Sequence, residues 1–100
     1  MVALPANKKE IFMKPMKISD IKSVETNETR TDDRYPLRIG STVRFYMDPV
    51  SGSSMILEYV SDNQGNPKSG YLRTSRVVEI VESMYDVVVT TVNSIYYLKK

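Results

Sequence analysis

The sequence contains no cysteine, no histidine and no tryptophan among its 100 residues. Without cysteine, disulfide scaffolds, thiolate zinc sites and thiol nucleophiles are excluded. Without histidine, acid–base chemistry by imidazole is excluded too. Long hydrophobic runs are also missing. The nearly apolar stretches fall far short of the roughly 20 residues a membrane-spanning helix needs, and no apolar segment follows the first lysines as it would in a secretory signal. No membrane partner is expected. Charge of one sign is scarce as well: fourteen Lys+Arg face twelve Asp+Glu, a formal net charge of +2. Nucleic-acid modules show a basic stripe, and here the signs are mixed throughout. That argues against nucleic acid as a partner but leaves open the capture of one or two phosphates.

What is present suits one domain, since a chain of this length supports a single core. Residues 1–15 hold Pro5, Pro15 and the apolar group Ile11-Phe12-Met13, and are expected to form a leader that is flexible or docks on the body or on a second copy. Residues 16–100 are expected to form one β-rich domain. Ile18, Ile21 and Val24 are spaced for a helical turn, but the surrounding residues suit a strand, which is the preferred reading. Residues 26–34 contain no apolar side chain and read as a loop. It ends at Tyr35-Pro36, because proline pushes its predecessor out of helical space. Val43, Phe45 and Met47 alternate with polar residues, as in a half-buried strand. Residues 48–53 read as a turn, and Met55, Leu57 and Tyr59 as the returning strand, with Glu58 on the opposite face.

After a polar loop over 62–70, strands are predicted at 71–80, with a bend at Thr74-Ser75, at 86–91 and at 94–98. Val92-Asn93 closes the last hairpin, where asparagine tolerates the left-handed backbone that such turns use. The predicted fold is all-β: a small, bent antiparallel sheet or partial barrel of about five to seven strands. Apolar residues fall on both faces of the C-terminal strands. One face supplies the interior, and the other predicts a homo-oligomer or a docked leader.

For chemistry, no Gly-x-Ser-x-Gly elbow, phosphate-binding P-loop or Ser-x-x-Lys pattern occurs. The adjacent acids Asp32-Asp33 lie in the most polar loop. No enzyme and no cofactor are expected. Asp62 to Asn66 superficially resembles the start of a calcium loop, but it lacks alternating ligands and a closing glutamate. No metal is expected either. The richest cluster runs from Gly70 to Arg76. Arg73 and Arg76 offer guanidinium forks for phosphate, Thr74 a hydroxyl, and Tyr71 a ring for stacking. A second cluster lies at Thr90 to Tyr97, where Asn93 could pair with a base edge or simply serve the turn. Tyr96 and Tyr97 face opposite ways, so that one belongs to the core and the other is free. The candidate ligand set is therefore Tyr71, Arg73, Thr74, Arg76, Asn93 and Tyr96. Its bland alternative is an ordinary exposed strand followed by a turn.

The runs Leu72 to Ile80 and Val89 to Leu98 resemble the ending of small phage-encoded β proteins. The shared pattern is Thr74-Ser75-x-Val77 followed by Thr91-x-Asn93-Ser94-x-Tyr96. Among these proteins the chain resembles the anti-Thoeris sponge proteins, which sequester cyclic nucleotide signals made by bacterial immune systems. The resemblance implies an oligomeric, non-catalytic protein that holds a nucleotide-derived signal between subunits in the cytoplasm of an infected host. The leader and the loop over 26–34 match nothing in that pattern. The competing expectation is a structural or interaction protein, such as a virion accessory subunit or an inhibitor of a host protein.

Overall fold

The computed structural model describes residues 14–100; most of the expected leader, residues 1–13, lies outside the described residues. Six strands follow in order: β1 (Met16–Ser23), β2 (Thr42–Phe45), β3 (Ser54–Ser61), β4 (Tyr71–Glu82), β5 (Asp86–Thr91) and β6 (Ser94–Lys99). Each pairs antiparallel with the next, and β6 returns to β1 to close a barrel. The fold is all-β, and the bent sheet predicted from alternation closes into a complete ring.

Alternation is what puts these segments in the sheet. Successive strand residues point to opposite faces, so β5 buries Val87, Val89 and Thr91 while Val88 and Thr90 lie outward. The same rule buries Val43 and Phe45 of β2 and Met55, Leu57 and Tyr59 of β3. Ile18, Ile21, Val43, Leu57, Val89 and Leu98 are wholly excluded from solvent and form the centre of the core. The strand reading of 16–25 holds over β1, which ends at Ser23; Val24 and Glu25 lie in the turn that follows. Contrary to expectation, Met47 does not continue the buried face of β2 but is 54 % exposed. Tyr46 N–H still donates to Ile56 O at 3.0 Å, after which the chain leaves the ladder for the Asp48-Pro49 turn.

The seam between β1 and β2 is short. Its register holds only Met16↔Val43 and Lys17↔Thr42, extended by Gly40 N–H to Ile18 O at 2.7 Å and Ile18 N–H to Ser41 O at 2.9 Å. β1 is held far more extensively by β6, from Lys17↔Lys99 to Ser23↔Ser94.

β4 pairs with β3 through its first half and with β5 through its second. The bend expected at Thr74-Ser75 is a bulge, where the register slips between Ser54↔Arg76 and Ile56↔Arg73. A bulge leaves one residue unpaired and sharpens the local twist. Beyond it Val78 and Val81 lie outside the barrel, 55 % and 52 % exposed.

Tyr35–Arg38 form one helical turn, α1. This departs from the expectation that Pro36 holds Tyr35 out of helical space. Proline is accepted in a first turn, where its missing N–H has no partner to lose. Among the described residues no helix is long and apolar enough to cross a membrane.

Candidate functional site

In an antiparallel meander every second connection falls at the same end. The β1–β2, β3–β4 and β5–β6 connections therefore gather at one mouth of the barrel, and grooves open there.

The larger groove, about 470 Å³, lies between the β1–β2 loop and the β5–β6 turn and is lined by Ser23, Glu25, Arg30, Asp33, Tyr35 and Asn93. The one cation among its described residues, Arg30, is already committed. Arg30 grips Asp32 at 2.7 Å and 3.1 Å, donates to Ser94 Oγ at 2.8 Å and stacks 4.1 Å from the centre of Tyr35. With two carboxylates on its walls, this groove does not attract anions. Arg30 is a strut that ties the loop to the barrel.

The second groove, about 260 Å³, differs in kind. Arg34, just before α1, and Arg38, at its end, flank it together with Tyr59 from β3, Lys68 from the β3–β4 loop and Tyr71 from the start of β4. Among the described residues no carboxylate lines it. The described ion pairs are Arg30–Asp32, Arg44–Glu58 and Lys100–Glu82, so Arg34, Arg38 and Lys68 all stand outside them.

Local structure fixes these groups. Arg34 and Arg38 are four residues apart, which one helical turn brings to the same side. Arg38 lies 5.1 Å from the centre of the Tyr35 ring. On the loop side, the Asp62 carboxylate accepts the N–H groups of Gln64 and Asn66, each at 2.9 Å. Those backbone hydrogen bonds hold the Asp62 carboxyl below its usual range. The Lys68 N–H donates to Val60 O at 3.2 Å, and its ammonium sits 4.1 Å above the Tyr59 ring. Burial pushes the Tyr59 hydroxyl pKa up, against the pull of the nearby Arg38 charge. The two sides meet where Gly40, just after α1, approaches Asn63: a Cβ built on Gly40 would lie 3.1 Å from Asn63 Cβ.

Of the residues singled out in the sequence, Tyr71 lines this groove, 57 % exposed. Arg73 and Arg76 are exposed on β4 opposite Ile56 and Ser54, away from it. Thr74 is buried, and its Oγ1 serves the bulge, accepting Met55 N–H at 3.0 Å and donating to Ser75 O at 2.7 Å. Tyr96 is a core residue, 2 % exposed, and its hydroxyl pKa is pushed up to about 12 by burial. The β4 bend and the β5–β6 turn do approach one another: Val92 N–H donates to Arg76 O at 3.0 Å, and Asn93 N–H to Ser75 Oγ at 3.4 Å. Asn93 lines the larger groove. It is not among the residues with positive φ, so the left-handed turn expected there does not form. Thr91 closes that hairpin with its side chain instead, Oγ1 accepting Ser94 N–H at 3.0 Å and donating to Ser94 O at 2.9 Å.

Arg34, Arg38, Tyr59 and Lys68 were not anticipated. The pair Arg34 and Arg38 becomes visible only once residues 35–38 are read as a helical turn. No group of three metal-ligating side chains occurs among the described residues.

Comparison with known proteins brings no family into view: no family model, curated protein or solved structure matches the chain. What the fold and groove define is a small all-β barrel with a cationic, aromatic-walled cleft at one mouth.

Proposed function

We propose that this chain is a non-catalytic binding protein that captures and sequesters a small, phosphorylated, nucleotide-derived signalling molecule in the Arg34–Arg38–Lys68 groove. One observation carries the reading: three cations line one cleft that has, among the described residues, no carboxylate on its walls, and none of the three is in an ion pair there. Guanidinium groups bind phosphate oxygens through paired hydrogen bonds, and an ammonium adds a point charge. A counter-defence role in the cytoplasm of an infected host, and a homo-oligomeric state, rest on the resemblance of residues 72–80 and 89–98.

The test is a thermal-shift and calorimetric screen against cyclic nucleotides and cyclic ADP-ribose isomers. A ligand at a hundred times its dissociation constant adds about 2.7 kcal/mol, which raises Tm by roughly ten degrees or more in a domain this size. The Arg34→Ala/Arg38→Ala variant is expected to lose that shift, and Arg73→Ala/Arg76→Ala to keep it. The reverse pattern would move the site to β4.

A second reading has its own observation. Val78 and Val81 on β4, with Met84 and Tyr85 beyond it, are all more than half exposed, as suits a protein-interaction component such as a virion accessory subunit. Under that reading the double variant Val78→Asp/Val81→Asp lowers the sedimenting mass, and an unchanged mass counts against it.

A further inference from the structure

We infer that the groove takes a single nucleotide unit, its phosphate against Arg34, Arg38 and Lys68 and its base stacked on Tyr71. This rests on the binding reading above and narrows it to one ligand size and one orientation. Two aromatic residues, Tyr59 and Tyr71, line the groove beside the cations, and they are not equivalent. The Tyr59 ring is already capped by the Lys68 ammonium at 4.1 Å, which leaves Tyr71 as the ring available to a ligand.

Tyr71 is also held in place. It meets Tyr46 edge to face, with ring centres 4.9 Å apart and planes at 72°. Such a contact uses one ring's edge and one face of the other, so it braces the pair and leaves ring faces open. Both rings are more than half exposed, so a ligand in the groove can reach them. The neighbouring carboxylate does not repel an anion: Glu58, directly across from Tyr71, is paired with Arg44 at 3.0 Å. A base stacks on a tyrosine face whatever its identity, so this arrangement selects a flat ring joined to a phosphate without dictating which ring.

Size sets the second limit. At about 260 Å³ the groove falls just below the clefts of roughly 300–1,000 Å³ that enclose drug-sized ligands. One base with its sugar phosphate fills it, and a second nucleotide would stand outside.

The experiment is calorimetric titration of the full chain with inorganic phosphate, ribose 5-phosphate, adenosine 5′-monophosphate and a cyclic dinucleotide. Each is repeated on Tyr71→Ala, Tyr71→Phe and Arg34→Ala/Arg38→Ala. The mononucleotide is expected to bind about tenfold or more tighter than the sugar phosphate, and the dinucleotide no tighter than the mononucleotide. Tyr71→Ala should bring the mononucleotide down to the sugar phosphate's affinity and leave the sugar phosphate unchanged; Tyr71→Phe should restore the difference. Equal affinities for the two, unaffected by Tyr71→Ala, would overturn the base subsite while leaving the anion groove standing. A dinucleotide that binds much more tightly than the mononucleotide would overturn the single-unit limit. No binding by any of the four would overturn this inference together with the reading beneath it.

Discussion

Thr91 is 1 % exposed and faces Ser94, itself 1 % exposed, across the β5–β6 turn. Its hydroxyl supplies both the donor and the acceptor that Ser94's backbone requires there, a task that Thr74 repeats in part at the β4 bulge by accepting Met55 N–H. Valine copies the shape of threonine but not the oxygen, so Thr91→Val takes from the Ser94 N–H and C=O the hydroxyl that both bond. An unpaired buried polar group costs about 1–3 kcal/mol, and each kcal/mol lowers Tm by roughly 4–8 °C in a domain this size. Urea unfolding of Thr91→Val should show that loss, and Thr91→Ser should keep most of the stability; a valine variant as stable as the parent would mean that the turn finds other partners. Residues such as these mislead a sequence reading, because threonine in a β-rich segment advertises a hydroxyl without saying whether it faces ligand or backbone. Thr74 looked like part of a phosphate site and is part of the sheet.

Most strands were legible as elements because they repeat every second residue, a signal that needs no knowledge of tertiary partners; β1 departs from it, with Ile18 and Ile21 buried three apart across a register shift. Where the pattern stops, so does legibility. Met47 sustains the alternation of β2 on paper, yet the chain has already turned away. α1 spans only Tyr35–Arg38 and contains a proline, too short for a helical period and marked by a residue that usually ends one. The same short turn carries Arg38 and sits beside Arg34, so missing the element meant missing the cations. Its position depends on Gly40, whose φ of +97° is rare for residues with a side chain and whose absent Cβ admits Asn63. Gly40→Ala is expected to cost about 1–2 kcal/mol of stability from its backbone conformation. It should also weaken anion binding by separating α1 from the Lys68 loop. Chemical denaturation and titration of one variant check both effects, and a loss of stability with unchanged affinity would separate the two roles.

On the scale of the whole molecule, the groove is assembled from the α1 segment and the β3–β4 hairpin, two parts of the chain with all of β2 between them; no local pattern encodes their meeting. The core beneath it has a distinct response to alkali. Burial raises the Tyr96 hydroxyl from an ordinary 10.0 to about 12, so folding favours its neutral form. That contribution is whole below pH 10 and is lost as pH climbs toward about 12. At stake is roughly 2–3 kcal/mol. Stability measured by urea unfolding across this window should fall more steeply for the parent than for Tyr96→Phe, and parallel curves would place the alkaline loss elsewhere. The short β1–β2 seam carries a different consequence. With only two register pairs and two flanking hydrogen bonds, it is where the ring parts at least cost, and subglobal openings follow the weakest boundaries. Amide protons of Gly40 and Ile18 should then exchange with solvent deuterium sooner than those of β5 and β6. An anion held across α1 and the β3–β4 loop would slow that breathing, so that occupancy of the groove is written into exchange lifetimes at the seam.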